Sequence, residues 1–311
     1  MYQGFWNNLK KPIVGLAPMD GVTDAPMRYI TAKYGKPDVI FTEFVSADGI
    51  IHGAKRLMRD FKYDEIERPV VAQLFRGDPE AFFQVAKLIV KMGFDGVDIN
   101  MGCPAKKVAG RGEGAGLIKK PLLAAEIIAA VKKGVDGKIP VSVKTRIGYN
   151  EADPEWWKFL ATQNLATVTI HGRTFKQLYQ GKADWESIAE AGRIIKSDKT
   201  IFLGSGDVES RQMGGELARK YGTDGVLVGR AAGGNPWVFD PNFQFTKINL
   251  QKKLKVAIEH ARKFEEIFPE DRFFIMRKHL AWYARGFDNA SELRNKLVLT
   301  NSADEVEKAM Y

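Results

Sequence analysis

A chain of 311 residues with 45% hydrophobic side chains can bury a large core, which excludes an intrinsically disordered protein and leaves room for one large domain and a smaller one. The formal net charge of +9 favours a polyanionic partner but dictates no fold. A single cysteine, Cys103, excludes a disulfide framework within the chain and fits a reducing compartment.

The N-terminal stretch MYQGFWNNLKK has no apolar signal-peptide core. The most apolar helix-like run, 122–131, contains Glu126 and is too short to span a bilayer. A cytoplasmic protein without membrane contact is therefore expected.

Eight short runs, nearly continuously apolar, then follow in order: 13–17, 38–42, 70–74, 96–100, 141–145, 167–170, 200–204 and 225–229. That pattern predicts strands buried on both faces, as in a parallel sheet. Helix signals separate them. Asp78-Pro79-Glu80 and Asp153-Pro154-Glu155 each supply an N-cap, a first-turn proline and an acid. Asp24 with Pro26, and Asp184 before Trp185, are weaker versions. Gly93 and Gly134 read as helix ends preceded by lysine.

Eight β-then-α units predict an α/β fold of the (β/α)8 TIM-barrel type. A doubly wound open sheet would carry fewer strands and a glycine-rich fingerprint after the first one, where this chain has Pro18-Met19-Asp20-Gly21. Beyond Pro241 no strand runs remain. Stretches 250–268 and 272–286 read as amphipathic helices and 302–310 as a short last one. The expected division is a catalytic barrel over 1–241 and a small all-helical domain over 242–311.

Barrel enzymes build their sites at the C-terminal ends of the strands. Those ends read Pro18-Met19, Glu43, Gln73, Asn100, Lys144, His171, Ser205 and Gly229-Arg230. Ser205-Gly206-Asp207 and Gly229-Arg230 follow strands seven and eight, where many barrels hold a phosphate on backbone N–H groups. Lys144 fits either a Schiff-base lysine or a cation beside an electron-rich cofactor. Cys103, in Asn100-Met101-Gly102-Cys103-Pro104, sits in a loop. An ordinary thiol, with a pKa of about 8.5, is mostly protonated at neutral pH and can donate a proton. The glycine-rich stretch 109–116 reads as a mobile loop carrying Cys103.

Five segments together resemble the transfer-RNA dihydrouridine synthases. They are Ala17-Pro18-Met19-Asp20-Gly21-Val22-Thr23-Asp24, Asn100-Met101-Gly102-Cys103-Pro104-Ala105-Lys106-Lys107-Val108, Ile170-His171-Gly172-Arg173-Thr174, Gly229-Arg230-Ala231-Ala232-Gly233-Gly234-Asn235-Pro236-Trp237 and Arg277-Lys278-His279-Leu280-Ala281-Trp282-Tyr283. The resemblance runs from about residue 12 to about residue 297.

It implies an FMN-binding barrel with a helical tRNA-binding domain, and reduction of the 5,6 double bond of specific uridines. NADPH would be the reductant, binding transiently because no dinucleotide fingerprint is present. Hydride would go to carbon 6 of uracil and a proton from Cys103 to carbon 5, so Cys103, Lys144 and His171 are the expected catalytic residues. Pro18, Met19 and Asp20 would line the flavin edge, Gln73 and His171 would contact the ring, and Lys144 would face its pyrimidine end. Ser205, Gly206, Asp207, Gly229 and Arg230 would hold the phosphate. Ser205 stands where the family usually has asparagine.

Asn100 and Arg173 would face the uridine. Lys106, Lys107, Arg111, Arg146 and Lys176 on the rim, and Arg277, Lys278 and Arg285 on the tail, would meet RNA phosphates. Trp282 and Tyr283 read as helix core. No metal and no membrane contact are expected, and a monomer is. The alternatives are an FMN barrel acting on a small pyrimidine such as dihydroorotate, a Schiff-base aldolase using Lys144, and a non-catalytic RNA-binding module.

Overall fold

The computed structural model describes residues 3–76, 78–242 and 250–311; the side chains of Lys55, Lys106 and Lys107 also lie outside the described residues. Eight parallel strands close on themselves in sequence order: β1 (Ile13–Leu16), β2 (Ile40–Ser46), β3 (Val70–Phe75), β4 (Gly96–Met101), β5 (Val141–Arg146), β6 (Thr167–His171), β7 (Ile201–Ser205) and β8 (Gly225–Val228). Pairing of β8 with β1 completes the ring, from Ile13 opposite Gly225 to Leu16 opposite Val228. The chain is thus a (β/α)8 TIM barrel with helices at its C-terminal end. The strands are buried almost throughout, because one face fills the barrel and the other meets the helices.

The helices α1 (Ala25–Tyr34), α2 (Ala47–Ile51), α3 (Pro79–Lys91), α4 (Lys106–Ala109), α5 (Pro121–Val135), α6 (Pro154–Thr162), α7 (Trp185–Ile195) and α8 (Arg211–Tyr221) lie between successive strands. Their starts follow the sequence signals. Side chains of Asp24, Asp78, Asp153 and Asp184 accept the amides of Met27, Glu80, Trp156 and Ser187.

Two expectations about the barrel elements need correction. β2 extends to Ser46, with a register break between Phe41 and Phe44, so Glu43 lies inside the strand and not past its end. Gly134 does not end a helix. α5 runs on to Val135, and Asp136 adopts the left-handed cap at φ 51°. A Cβ on Gly134 would stand 2.5 Å from the carbonyl oxygen of Phe83, so the glycine serves the close approach of α5 to α3.

Beyond the barrel come α9 (Leu250–Ile267), a 3-10 turn at Phe273–Met276, α10 (Arg277–Tyr283), α11 (Ala290–Leu297) and α12 (Ala303–Met310). The expected single helix over 272–286 is broken into turn and helix at Arg277, and α11 is an addition to the expected set. Residues 243–249 of the expected helical domain lie outside the described residues. Phe264, Met276, Leu280, Tyr283, Leu297 and Val306 share one apolar cluster with Ala25 and Ile30 of α1 and with Trp237. The indole of Trp282 sits 3.1 Å from where a Cβ on Gly233 would be, so bare backbone admits it. The tail therefore has its own core but seats it on the barrel.

A buried ion pair fixes the segment that links β1 to α1. Arg28 and Glu67 are 0% and 1% exposed at 2.7 Å, and Arg28 also donates to the carbonyls of Thr23 and Lys62. Removing one partner leaves a charge buried alone. Arg28→Ala is expected to lower the unfolding free energy by about 3–5 kcal/mol in urea titration of the full chain. Lys158→Ala, which breaks an exposed pair with Glu155, is expected to change it by less than about 0.5 kcal/mol.

Candidate active site

The C-terminal mouth of the barrel is organised by one chain of buried hydrogen bonds. On β5, Ser142 Oγ donates to Asp98 Oδ1 at 2.5 Å. On β3, Gln73 Nε2 donates to Asp98 Oδ2 at 2.7 Å, and its Oε1 accepts from Asn100 Nδ2 at 2.9 Å. Asn100 Oδ1 in turn accepts the amides of Gly102 and Cys103, at 3.0 and 2.8 Å. Register explains the sequence: Gln73 pairs with Asp98, Asp98 with Ser142, and Asn100 with Lys144. Neighbouring parallel strands thus place the polar side chains side by side.

Each polar group here is tuned by burial. The Asp98 carboxyl is pushed up to about 6 by loss of water, against the opposing pull of its Ser142 and Gln73 hydrogen bonds and of Lys144. Lys144 is brought down to about 8, first by burial and then by the charge of Arg146. His171 is held well below its usual value by burial and by Lys144, Arg146, Arg173 and Arg230 around it, so it is neutral at pH 7. Burial also raises the Cys103 thiol above its ordinary value, although the Ala105 amide donates towards the sulfur. Cys103 is therefore a thiol and not a thiolate near neutral pH.

Asn100, expected to face the substrate, has both ends of its amide occupied within the protein and is 7% exposed. Arg173 is 2% exposed. It donates to both carboxylate oxygens of Asp207 and to the carbonyls of Gln180 and Gly181. Asp207 also accepts from Arg230 and from the Ala183 amide, so its carboxylate braces the loop that was expected to hold phosphate. The Arg230 guanidinium stays 65% exposed beside it.

Ser205 donates across to the Leu227 carbonyl at 3.4 Å, and Gly206 stands at φ 129° with no room for a side chain beside Ala183. Gly229 abuts Met19, so the first and last βα loops meet. Pro18 and Met19 are half-buried. The turn they begin is closed by Thr23, whose Oγ1 accepts the Met19 amide at 2.9 Å.

Arg146, expected on the RNA-facing rim, is buried. It bonds to the carbonyls of Gly102, Thr174 and Leu178 and ties the β4 and β6 loops together. Arg277 is half-buried and donates to the Thr300 carbonyl and to Asn301 Oδ1 at the surface. The glycine-rich stretch is packed where a mobile loop was expected. Residues Gly114–Lys119 form a 3-10 turn whose Ala115 amide donates to the Cys103 carbonyl at 3.2 Å. A Cβ on Gly116 would lie 2.5 Å from the Ala109 carbonyl oxygen, so close approach requires the glycine. Lys278 does reach the mouth: its Nζ is 3.5 Å from the Cβ position of Gly21, and its charge acts on Asp20. The side chain of Lys106 lies outside the described residues.

Sequence reasoning passed over Asp98 and Ser142, although the alternation in Gly96-Val97-Asp98-Ile99-Asn100 puts two polar residues on one strand face. It also passed over Tyr179, a 61% exposed ring flanked by Arg146 and Arg230, each 5.9 Å from its centroid. Glu43 is buried and its carboxyl is pushed up to about 8 by loss of water and by Asp24 and Asp60.

The mouth concentrates cations. His171 Nδ1 and Arg173 Nη1 are buried with no hydrogen-bond partner among the described residues. An unpaired buried guanidinium N–H and an unpaired imidazole nitrogen, with Lys144 acting on the imidazole, fit an anionic, electron-rich ligand. Fold and site together define a closed parallel barrel with a cation-rich, partly unpartnered set of side chains at its strand ends.

Comparison with known proteins narrows this. The family profile described as dihydrouridine synthase matches residues 15–310. A protein of Bacillus subtilis strain 168, named probable tRNA-dihydrouridine synthase 2, is 37% identical over 98% of this chain and 95% of its own length. A Staphylococcus aureus strain COL protein, named probable tRNA-dihydrouridine synthase, is 39% identical over 98% of this chain and 94% of its own. The chain belongs to the dihydrouridine synthase family and is an oxidoreductase.

Among solved structures, histamine dehydrogenase from Rhizobium sp. 4-9 superposes with a TM-score of 0.53 at 13% identity, over 80% of this chain and 48% of that one. A 2-naphthoyl-CoA reductase complex gives 0.55 at 9% identity, over 73% and 49%. These two share the barrel fold alone. No described helix is long and apolar enough to cross a membrane.

Lys144 makes the cost of this arrangement measurable. Its folded pKa, about 8, lies below the unfolded value, so the folded state gives up the proton first. Its charge therefore works against folding below about pH 8, and the penalty disappears above about pH 10.5, where both states are neutral. Lys144→Met is expected to stabilise the unliganded chain at pH 7 by about 1 kcal/mol, a figure discounted for partial exposure. Thermal melts of both chains across pH 7–10.5 check this, and the difference should shrink as pH rises.

Proposed function

We propose that this protein reduces the 5,6 double bond of uridines in transfer RNA, using FMN in the barrel mouth and NADPH as electron source. The observation that carries the reading is the Asn100–Cys103 anchor: a buried, protonated thiol fixed at the same mouth as Lys144 and His171. The relatives named as tRNA-dihydrouridine synthases support the substrate, and the basic chain supports a polyanion.

Lys144, His171 and the unpaired face of Arg173, with Gln73 beneath, would hold the flavin ring, and the amides of residues 205–207 and 229–230 its phosphate. When bound, FMN supplies the hydride. Lys144 offsets the negative charge of the reduced state, a fixed charge in a water-poor site. Cys103 gives its proton to carbon 5 of the uracil. The Asn100 clamp on its amide removes the search for that geometry. A uridine in folded RNA must swing out of its stack at a cost of a few kcal/mol, which phosphate contacts offset. Lys278, Arg230 and the tail would supply such contacts. The helical domain would thus bind tRNA jointly with the barrel rim. Family membership argues against the aldolase alternative for Lys144.

Cys103→Ala is expected to keep the bound-flavin spectrum and NADPH oxidation in air while slowing uridine reduction by about 10²–10⁴-fold. Mass-spectrometric counting of dihydrouridine in the treated tRNA provides the measure. Reduction at the parental rate would remove the proton-donor role. Activity should also decline at alkaline pH as the raised thiol titrates.

A further inference from the structure

Away from the mouth, Asp24, His260 and His279 meet where the barrel touches the tail. Asp24 caps α1 and is 3% exposed; His260 on α9 and His279 on α10 are each 1% exposed. One ligand-type atom from each lies within 4.8 Å of the other two. His279 Nε2 approaches Asp24 Oδ2 to 3.4 Å, an ion-pair distance without the alignment of a hydrogen bond. Asp24 Oδ1 is already taken by the Met27 amide, which leaves Oδ2 for the cluster. The His260 Nε2 atom is buried with no hydrogen-bond partner among the described residues, and the buried His279 Nε2 has only its contact with Asp24 there. The imidazole rings are 4.8 Å apart between centroids.

We propose that these three side chains, with a water as fourth ligand, bind a divalent metal ion of the zinc class and join the barrel to the helical tail. A tetrahedral ion at about 2.0–2.2 Å from each ligand needs ligand atoms roughly 3.2–3.6 Å apart. The 3.4 Å Asp24–His279 spacing meets that now, and a His260 ring nitrogen, within 4.8 Å of both, completes the set by side-chain rotation. Two imidazoles and one carboxylate select zinc-like ions over calcium or magnesium, which prefer oxygen. Asp24 is the one carboxylate of the three, so coordination rests mainly on the two imidazoles. His260 Nδ1 already faces the Tyr283 hydroxyl at 3.3 Å, the outer-sphere partner that fixes which ring nitrogen coordinates. The metal would clamp α9 and α10 to the start of α1, three residues past Gly21, and hold Lys278 at the rim.

The test uses the full chain carrying Cys103→Ala, which removes the thiol as a competing ligand. Zinc content after dialysis and competition against a chromophoric chelator should show one tight equivalent per chain. His260→Gln and Asp24→Asn should each weaken binding at least about ten-fold; the asparagine keeps the helix cap. Cobalt should give the intense visible bands of a four-coordinate ion, read against the cobalt-free flavin spectrum, in the same chain without any ligand substitution. Substoichiometric zinc, a weak six-coordinate cobalt spectrum, or binding unchanged in both variants overturns the proposal.

Discussion

Everything at the mouth depends on the Asp98 carboxylate being satisfied where water cannot reach. Ser142 and Gln73 donate to it, and that fixes Gln73 so that its other end can orient Asn100. Asn100 then sets the backbone of Cys103. An amide can pass direction along because it donates at one end and accepts at the other. A break anywhere leaves a buried polar group unpaired, so the chain of bonds is held as a unit. Three adjacent strands contribute, which is why the thiol's backbone inherits the rigidity of the barrel and not of its loop.

The second constraint is electrostatic. Lys144, Arg146 and His171 are all held below their ordinary pKa values, first by burial and then by neighbouring cations: Arg146 acts on Lys144, Arg173 on Arg146, and these three with Arg230 on His171. Such a cluster opposes folding unless anions balance it. Asp98 balances Lys144, and Asp207 balances Arg173 and Arg230. An anionic cofactor at the mouth would relieve the remainder, so binding and stability are coupled through the same charges.

The tail changes what the barrel can present. Its apolar cluster includes side chains of α1, and Lys33 and Tyr34 both reach Glu259 on α9. That seating brings Lys278 beside Gly21, on the loop that follows β1. A charge from the last quarter of the sequence thereby joins the rim made by the first strand.

Eight strands, four capped helix starts and most of the polar residues near the strand ends are legible in the sequence alone. Each is written locally: unbroken apolar runs for strands buried on both faces, and Asp, Asp-Pro or Asp-x-Pro at helix starts. Cys103, Lys144 and His171 could be named at the mouth because strand ends converge in any closed barrel. What each side chain bonds to was decided only by tertiary structure. Asn100, Arg146, Arg173 and Asp207 look alike as polar rim residues, yet each is turned inward by partners up to 44 residues away. Gly134 and Gly116 resemble a helix stop and a flexible loop; only the backbone packed against them shows that they make room. Local spacing records periodicity and caps, whereas a hydrogen-bond partner across the barrel exists only once the ring has closed.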